Sequence, residues 1–149
     1  MEYGCALSWE TSDIIAIVSV ICAFASAVYA ANSAKEAKKT NQLTLYVQRR
    51  PVYDAFKALD MHMTAKRQSA DLSEVSKFYH YQDTALFCFD DEISNELREY
   101  YKAAFFIADE FRADSNLAKT SADVKKHLAT IDRLAKNLHQ KLEKALTIN

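Results

Sequence analysis

The chain has 149 residues, with 19 basic and 20 acidic side chains but only one glycine and one proline. A β-rich protein uses both residues often in its turns, so this composition excludes such a fold and predicts helices joined by short polar turns. All 19 basic residues lie from Lys35 onward with 17 of the acidic ones, a net charge of +2. That balance indicates neither a nucleic-acid-binding surface nor an acidic tail. We therefore expect an all-α protein with no nucleic-acid partner.

An apolar segment near the N-terminus, IIAIVSVICAFASAVYAA at residues 14–31, contains no charged side chain. As a helix rising about 1.5 Å per residue it spans roughly 27 Å, enough to cross the hydrocarbon core of a bilayer. Its eight strongly apolar residues each contribute about −0.3 to −0.6 kcal/mol to membrane insertion, and the alanines, serines and cysteine dilute that. The sequence predicts a transmembrane helix over 13–31, preceded by an external segment, 1–12.

Three other interpretations of this segment compete with a membrane anchor. A cleaved signal peptide requires a basic leading region, but residues 1–13 carry only acidic charges. A lipoprotein site at Cys22 requires small residues where Val20 and Ile21 stand. A core helix of a soluble protein would require this short chain to bury eighteen apolar residues on all sides. The anchor fits these constraints better than the other three.

Charge predicts the orientation of the anchor. No basic residue precedes the span, so the positive-inside rule places the N-terminus outside and the C-terminal part in the cytoplasm. Lys35, Lys38 and Lys39 then lie where they contact anionic headgroups. Small residues at four-residue steps form a face through which membrane helices dimerise: Ser19, Ala23, Ala27 and Ala31.

Beyond the span, composition and apolar spacing predict more helices. Residues 32–50 read as a juxtamembrane helical stalk, and Pro51 at its end predicts a kink or a break followed by a new helix. The remaining residues, 51–149, predict a cytoplasmic antiparallel bundle of about four helices. Their expected extents are about 51–66, 71–89, 91–112 and 121–146, with a polar turn at 113–119.

Polar residues at helix starts predict N-caps at Asp71, at the acidic run 90–92 and within 120–123. The helix that begins at Asp91 has the broadest apolar face and is expected to be the most buried. The last helix carries an unbroken 3.5-residue repeat: Val124, Leu128, Ile131, Ala135, Leu138, Leu142 and Ala145. Such a seam is typical of a coiled coil or of one helix in a bundle, and the three other amphipathic helices favour the bundle.

No catalytic or metal-binding constellation is evident. The four histidines, His62, His80, His127 and His139, show neither the i, i+4 spacing of a zinc site nor a Glu-x-x-His motif. His139 and Glu143 share a helix face and read as a solvated pair, while Cys88 lies beside carboxylates that do not activate a thiol. With its one glycine at position 4, the chain has no phosphate-binding loop. We expect no enzyme activity, cofactor, metal or small-molecule substrate.

Two stretches following the span, RRPVYDAFKAL (49–59) and ALFCFDDEISNELREYYKAA (85–104), resemble a pattern of small uncharacterised bacterial membrane proteins. Those proteins combine one anchor, a basic stalk and helix starts of this kind. The resemblance implies the same fold and a setting in the bacterial inner membrane, and it assigns no functional residue.

These observations favour a membrane-anchored helical interaction module, a scaffold, adaptor or regulator that self-associates and can recruit a protein partner. The alternative is a small membrane-perturbing effector of a toxin or anti-phage type, suggested by the serine- and alanine-rich span. An enzyme ranks third.

Overall fold

The computed structural model describes residues 11–147, so all but the end of the expected external segment 1–12 lies outside the described residues. Within 11–147 the chain forms only helices and turns, which confirms the all-α prediction. The elements are α1 (Thr11–Lys66), a 3-10 turn (Arg67–Ser69), α2 (Leu72–Ser76), α3 (Tyr79–Cys88), α4 (Asp91–Ala113), α5 (Ser115–Thr120) and α6 (Ala122–Leu146). Two compact units divide the chain, one ending at Asn41 and the other beginning at Gln42.

Of the two outcomes expected at Pro51, the break followed by a new helix does not occur. α1 continues for 56 residues with the proline inside it. An interior proline removes one backbone hydrogen bond and costs about 3 kcal/mol. Val52 and Phe56 immediately beyond it are fully buried, and burying two such side chains contributes about 1.5–3 kcal/mol each. The packed unit also begins at Gln42, before the proline and not at it.

A left-handed residue ends α1. Arg67 has φ +47, a conformation that costs a non-glycine residue roughly 1–2 kcal/mol. Its guanidinium pairs with Asp132 of α6 at 3.0 Å, and Ala70 just beyond it is fully buried. The turn therefore directs the chain back into the core.

The helix expected over 71–89 is two helices. The backbone N–H groups of Lys77 and Phe78 bond carbonyls only three residues back, which closes α2 after Ser76. Phe78 is 2% exposed and Val75 is fully buried. The tighter turn brings both side chains into the core, which explains the interruption.

Local capping accounts for the starts of the later helices. Asp71 accepts from the Ser73 N–H at 2.8 Å, Asp90 accepts from the Ile93 N–H at 2.9 Å, and Ser121 accepts from the Val124 N–H at 3.4 Å. These three predicted caps are confirmed. The expected polar turn at 113–119 instead contains α5, whose Ala118 is fully buried.

One apolar core fills the second unit. It draws side chains from the second half of α1 and from α2, α3, α4 and α6. Among the described residues α4 supplies nine buried positions, more than any other helix, as its broad apolar face predicts. Helices α3 and α4 pack against each other in antiparallel directions. Two contacts show this: Ser94 Oγ donates to the Ala85 carbonyl, and the Tyr101 ring lies beside the Tyr79 ring.

Candidate functional site

The apolar segment of α1 is the part of the first unit with the clearest physical character. An 18-residue window there has a mean hydropathy of 2.4, and none of it is buried in the structure. Large side chains such as Val20 and Phe24 are 69% and 73% exposed. A core helix would bury such residues, so the segment is long and apolar enough to cross a membrane and is not covered by the described chain.

The two serine hydroxyls within this segment are satisfied by the helix itself. Ser19 Oγ donates to the Ile15 carbonyl and Ser26 Oγ donates to the Cys22 carbonyl, both at 2.8 Å. Such back-bonding removes the cost of placing a hydroxyl in an apolar medium. The predicted packing face of Ser19, Ala23, Ala27 and Ala31 is exposed along its whole length, as are Lys35, Lys38 and Lys39 beyond it.

The predicted seam of α6 faces the core of its own chain. Val124, Leu128, Ile131, Leu138 and Leu142 are buried, and Ala135 and Ala145 are partly buried against the core. Leu134, which lies outside the 3.5-residue repeat, is 1% exposed. The buried face is thus broader than a two-position seam, as it is for a helix that packs within one chain.

A polar cluster joins three helices of the second unit. Asp60 of α1 accepts from the Tyr100 hydroxyl of α4 at 2.8 Å, and its other oxygen lies 2.9 Å from Nε2 of His139 in α6. The ring of Phe56 packs against both partners, with centroids 5.2 Å from Tyr100 and 5.1 Å from His139. Nearby, the Tyr53 hydroxyl donates to Glu143 at 3.2 Å. His139 and Glu143 therefore each contact α1, which the expectation of a solvated pair does not include, while Glu143 itself is exposed.

This cluster acts as a clamp, by which we mean that one side chain of α1, Asp60, holds α4 and α6 through hydrogen bonds to Tyr100 and His139. Burial, reinforced by the Asp60 carboxylate, raises the pKa of Tyr100, so its hydroxyl stays protonated and acts as a donor. The side chain of Asp60 is 17% exposed and that of His139 is 31% exposed. A partly buried carboxylate is tolerated when its oxygens are hydrogen-bonded, and here the two oxygens have one partner each.

Arg49 joins the ends of two other helices. Its Nε donates to the Cys88 carbonyl at the end of α3, and its Nη1 donates to the Ala145 carbonyl near the end of α6, both at 2.8 Å. The guanidinium also lies 5.4 Å from the centre of the Phe89 ring. A helix C-terminus presents unpaired carbonyls and partial negative charge, so one arginine satisfies two such ends.

We expect Arg49→Lys to destabilise the second unit by about 1–3 kcal/mol, because an ammonium group cannot bond both carbonyls in the geometry of the guanidinium fork. Urea unfolding of the full chain in mild detergent, followed by circular dichroism, measures the change. Arg50→Lys is the matched control, since Arg50 bonds only Asp54 and Tyr46, which lie one turn away on the exposed surface of its own helix. Equal stability of the two variants would contradict the capping role.

A group of ion pairs between Lys141 of α6 and two glutamates of α4 also links these helices. Lys141 Nζ donates to Glu92 at 2.8 Å and to Glu96 at 2.7 Å. The hydrogen bonds to Glu92 and Glu96 raise the pKa of Lys141, so the ammonium form is favoured. One oxygen of Glu96 is buried without a hydrogen-bond partner.

None of these groups forms a metal site. Among residues 11–147, no three or more histidine, cysteine, aspartate or glutamate side chains are arranged to hold an ion. Cys88 is a free buried thiol whose Sγ lies 4.0 Å from the Gln48 amide oxygen.

Sequence reasoning missed Asp60, Tyr100 and Arg49 as structural groups. One signal was available, because Asp60 lies four residues after Phe56, at the edge of the apolar stripe of α1. A carboxylate in that position requires a buried partner. The partners themselves are 40 and 79 residues away, at distances that no local pattern covers.

Comparison with known proteins found no match to this chain, either among protein-family models or among curated proteins and solved structures.

Proposed function

We propose that the chain is a membrane-anchored helical interaction module, a scaffold, adaptor or regulator that acts by binding protein and not by catalysis. The observation that carries this proposal is an apolar helical segment with no residue buried, in a chain whose second unit has its own continuous core. An unburied segment of this length is stable in lipid and costly in water. The segment anchors the protein, and the packed unit presents the surface that partners recognise.

The finer features belong to the same proposal. The second unit is an antiparallel helical bundle on the cytoplasmic side of the bacterial inner membrane, and the N-terminus is outside. Support comes from the lysines that follow the apolar segment, since basic residues are retained on the cytoplasmic side. Lys35, Lys38 and Lys39 are exposed and free to meet anionic headgroups. Self-association occurs in the membrane, where the small-residue face Ser19, Ala23, Ala27 and Ala31 allows close approach.

Native mass spectrometry of the full chain, extracted in mild detergent from its own membranes, tests the interaction role. We expect either a defined homo-oligomer or a stoichiometric complex with a second protein. A homogeneous monomer that carries no other protein would contradict it.

A further inference from the structure

The outer face of α3 and α4 carries large side chains that the core does not use. Tyr79, Leu86 and Phe87 of α3 are 51%, 43% and 87% exposed, and Phe105 of α4 is 39% exposed. The ring of Tyr101 joins two of them, with centroids 6.3 Å from Tyr79 and 5.9 Å from Phe105. Exposed aromatic clusters of this kind mark interaction surfaces.

The same face holds an arginine without a partner. The other five arginines each bond a carboxylate or a carbonyl. In the part of the chain that the structure describes, Arg98 is partly buried and shows no hydrogen bond, ion pair or ring contact. Helical spacing places it on one side of α4 with Tyr101, Lys102 and Phe105, three, four and seven residues further on. A partly desolvated guanidinium with no partner within its own chain is suited to an anionic partner.

The anionic partner is present on the face itself. Asp83 of α3 and Asp91 of α4 are exposed, and no contact of either side chain is seen in the described structure. The antiparallel contacts of Ser94 with Ala85 and of Tyr101 with Tyr79 place Asp83 and Arg98 at nearly the same level on adjacent helices. The face therefore carries two acids and two bases, Arg98 and Lys102.

We infer that the α3/α4 face binds a second copy of this chain about a two-fold axis parallel to the two helices, so that Asp83 of each copy pairs with Arg98 of the other. This inference rests on the proposed self-association and adds to the small-residue face of the span a second contact surface, in the packed unit. Rotation about such an axis lays α3 of one copy against α4 of its partner. Opposite charges then meet in both halves of the interface, and the aromatic side chains of the two copies come together between them.

The balance of charge on the α3/α4 face favours a second copy of the chain over a membrane surface or a nucleic acid. A membrane surface or a nucleic acid attracts faces with an excess of basic residues, and here the acidic and basic groups are equal in number. A self-complementary pattern is what a two-fold interface requires, because the same patch serves both copies.

Charge reversal in the full chain tests the inference, with sedimentation in mild detergent as the measurement. Like charges across an interface weaken binding strongly, so Arg98→Glu and Asp83→Arg are each expected to weaken dimerisation on the order of tenfold or more. The double variant, Asp83→Arg with Arg98→Glu, is expected to restore it. Lys136→Glu, an exposed reversal on α6, is the control. Asp83 is exposed and unpaired, so its variant remains informative even where the Arg98 variant folds poorly.

A covalent test is independent of affinity. Chains carrying Asp83→Cys and chains carrying Arg98→Cys are co-expressed and oxidised in membranes, and we expect a disulfide-linked heterodimer. Pairing Asp83→Cys with Lys136→Cys is the control. An oligomer that persists unchanged in the reversal variants, or a heterodimer yield no higher than that of the control, would overturn this interface while leaving the anchored module in place. A wild-type monomer without partners would remove both proposals.

Discussion

Ala23→Arg is expected to release the protein from the membrane. The eight strongly apolar residues of the span contribute about −0.3 to −0.6 kcal/mol each to insertion, and an arginine at the centre of a span costs about 2.5–3.5 kcal/mol. One substitution therefore offsets most of the insertion free energy and lowers the ratio of inserted to uninserted protein about 70- to 400-fold. The measurement is the amount of protein that stays in the membrane pellet after an alkaline carbonate wash.

The chain offers a matched control for this variant. Ala37→Arg introduces the same side chain on the same helix, beyond the apolar segment and among lysines, where a positive charge favours the cytoplasmic side. We expect this protein to stay in the pellet. Retention of both variants, or release of both, would argue against an anchor at 14–31.

Tyr100→Phe is expected to destabilise the second unit at neutral pH by about 1.5–3 kcal/mol, the usual contribution of a hydrogen bond to a charged group. The effect depends on pH. Burial and the Asp60 carboxylate raise the pKa of Tyr100 in the folded state. Above about pH 10 the unfolded chain loses this proton while the folded chain keeps it, so the stability of the wild type falls as pH rises. Phenylalanine has no proton to lose, and the difference between the two proteins shrinks.

The slope of that change is up to about 1.4 kcal/mol per pH unit, so the wild-type advantage is expected to vanish within about two units above pH 10. Urea unfolding of both full-length proteins in detergent at several pH values measures it. Val124→Ala removes only apolar atoms from a fully buried side chain, and its deficit should not change with pH. A Tyr100→Phe deficit that is equally large at pH 8 and pH 11.5 would contradict the buried clamp.

Features set by neighbouring residues could be predicted from the sequence. The starts of α4 and α6 follow from Asp90 and Ser121, whose oxygens bond N–H groups three residues away. Apolar periodicity likewise identifies Leu128 and Leu138 as core residues, because one face of a helix must be covered. The unburied segment was evident because lipophilicity is a property of composition.

Features set by tertiary packing could not be predicted from the sequence. Pro51 remains helical because the residues that follow it are buried by other helices, and this burial outweighs a local preference. The turn between α2 and α3 brings Phe78 into the core, where it packs near Tyr101 of α4. Its position therefore depends on a helix that is distant in the sequence. In the sequence Arg49 is only one of the basic residues that follow the span, yet in the structure its partners are carbonyls 39 and 96 residues away. Backbone carbonyls carry no sequence signature, so such a cap is visible only in the folded chain.

The central claim is an anchored protein with its packed unit in the cytoplasm, and thiol labelling with a membrane-impermeant maleimide tests it most directly. Cys88 is only 6% exposed and is a poor reporter, so Asn137→Cys on the exposed side of α6 takes its place, in a chain with Cys22→Ala. Native Cys5 reports on the other side. In intact spheroplasts we expect label on Cys5 alone, and label on position 137 only after permeabilisation. Label on position 137 in intact spheroplasts would contradict the account.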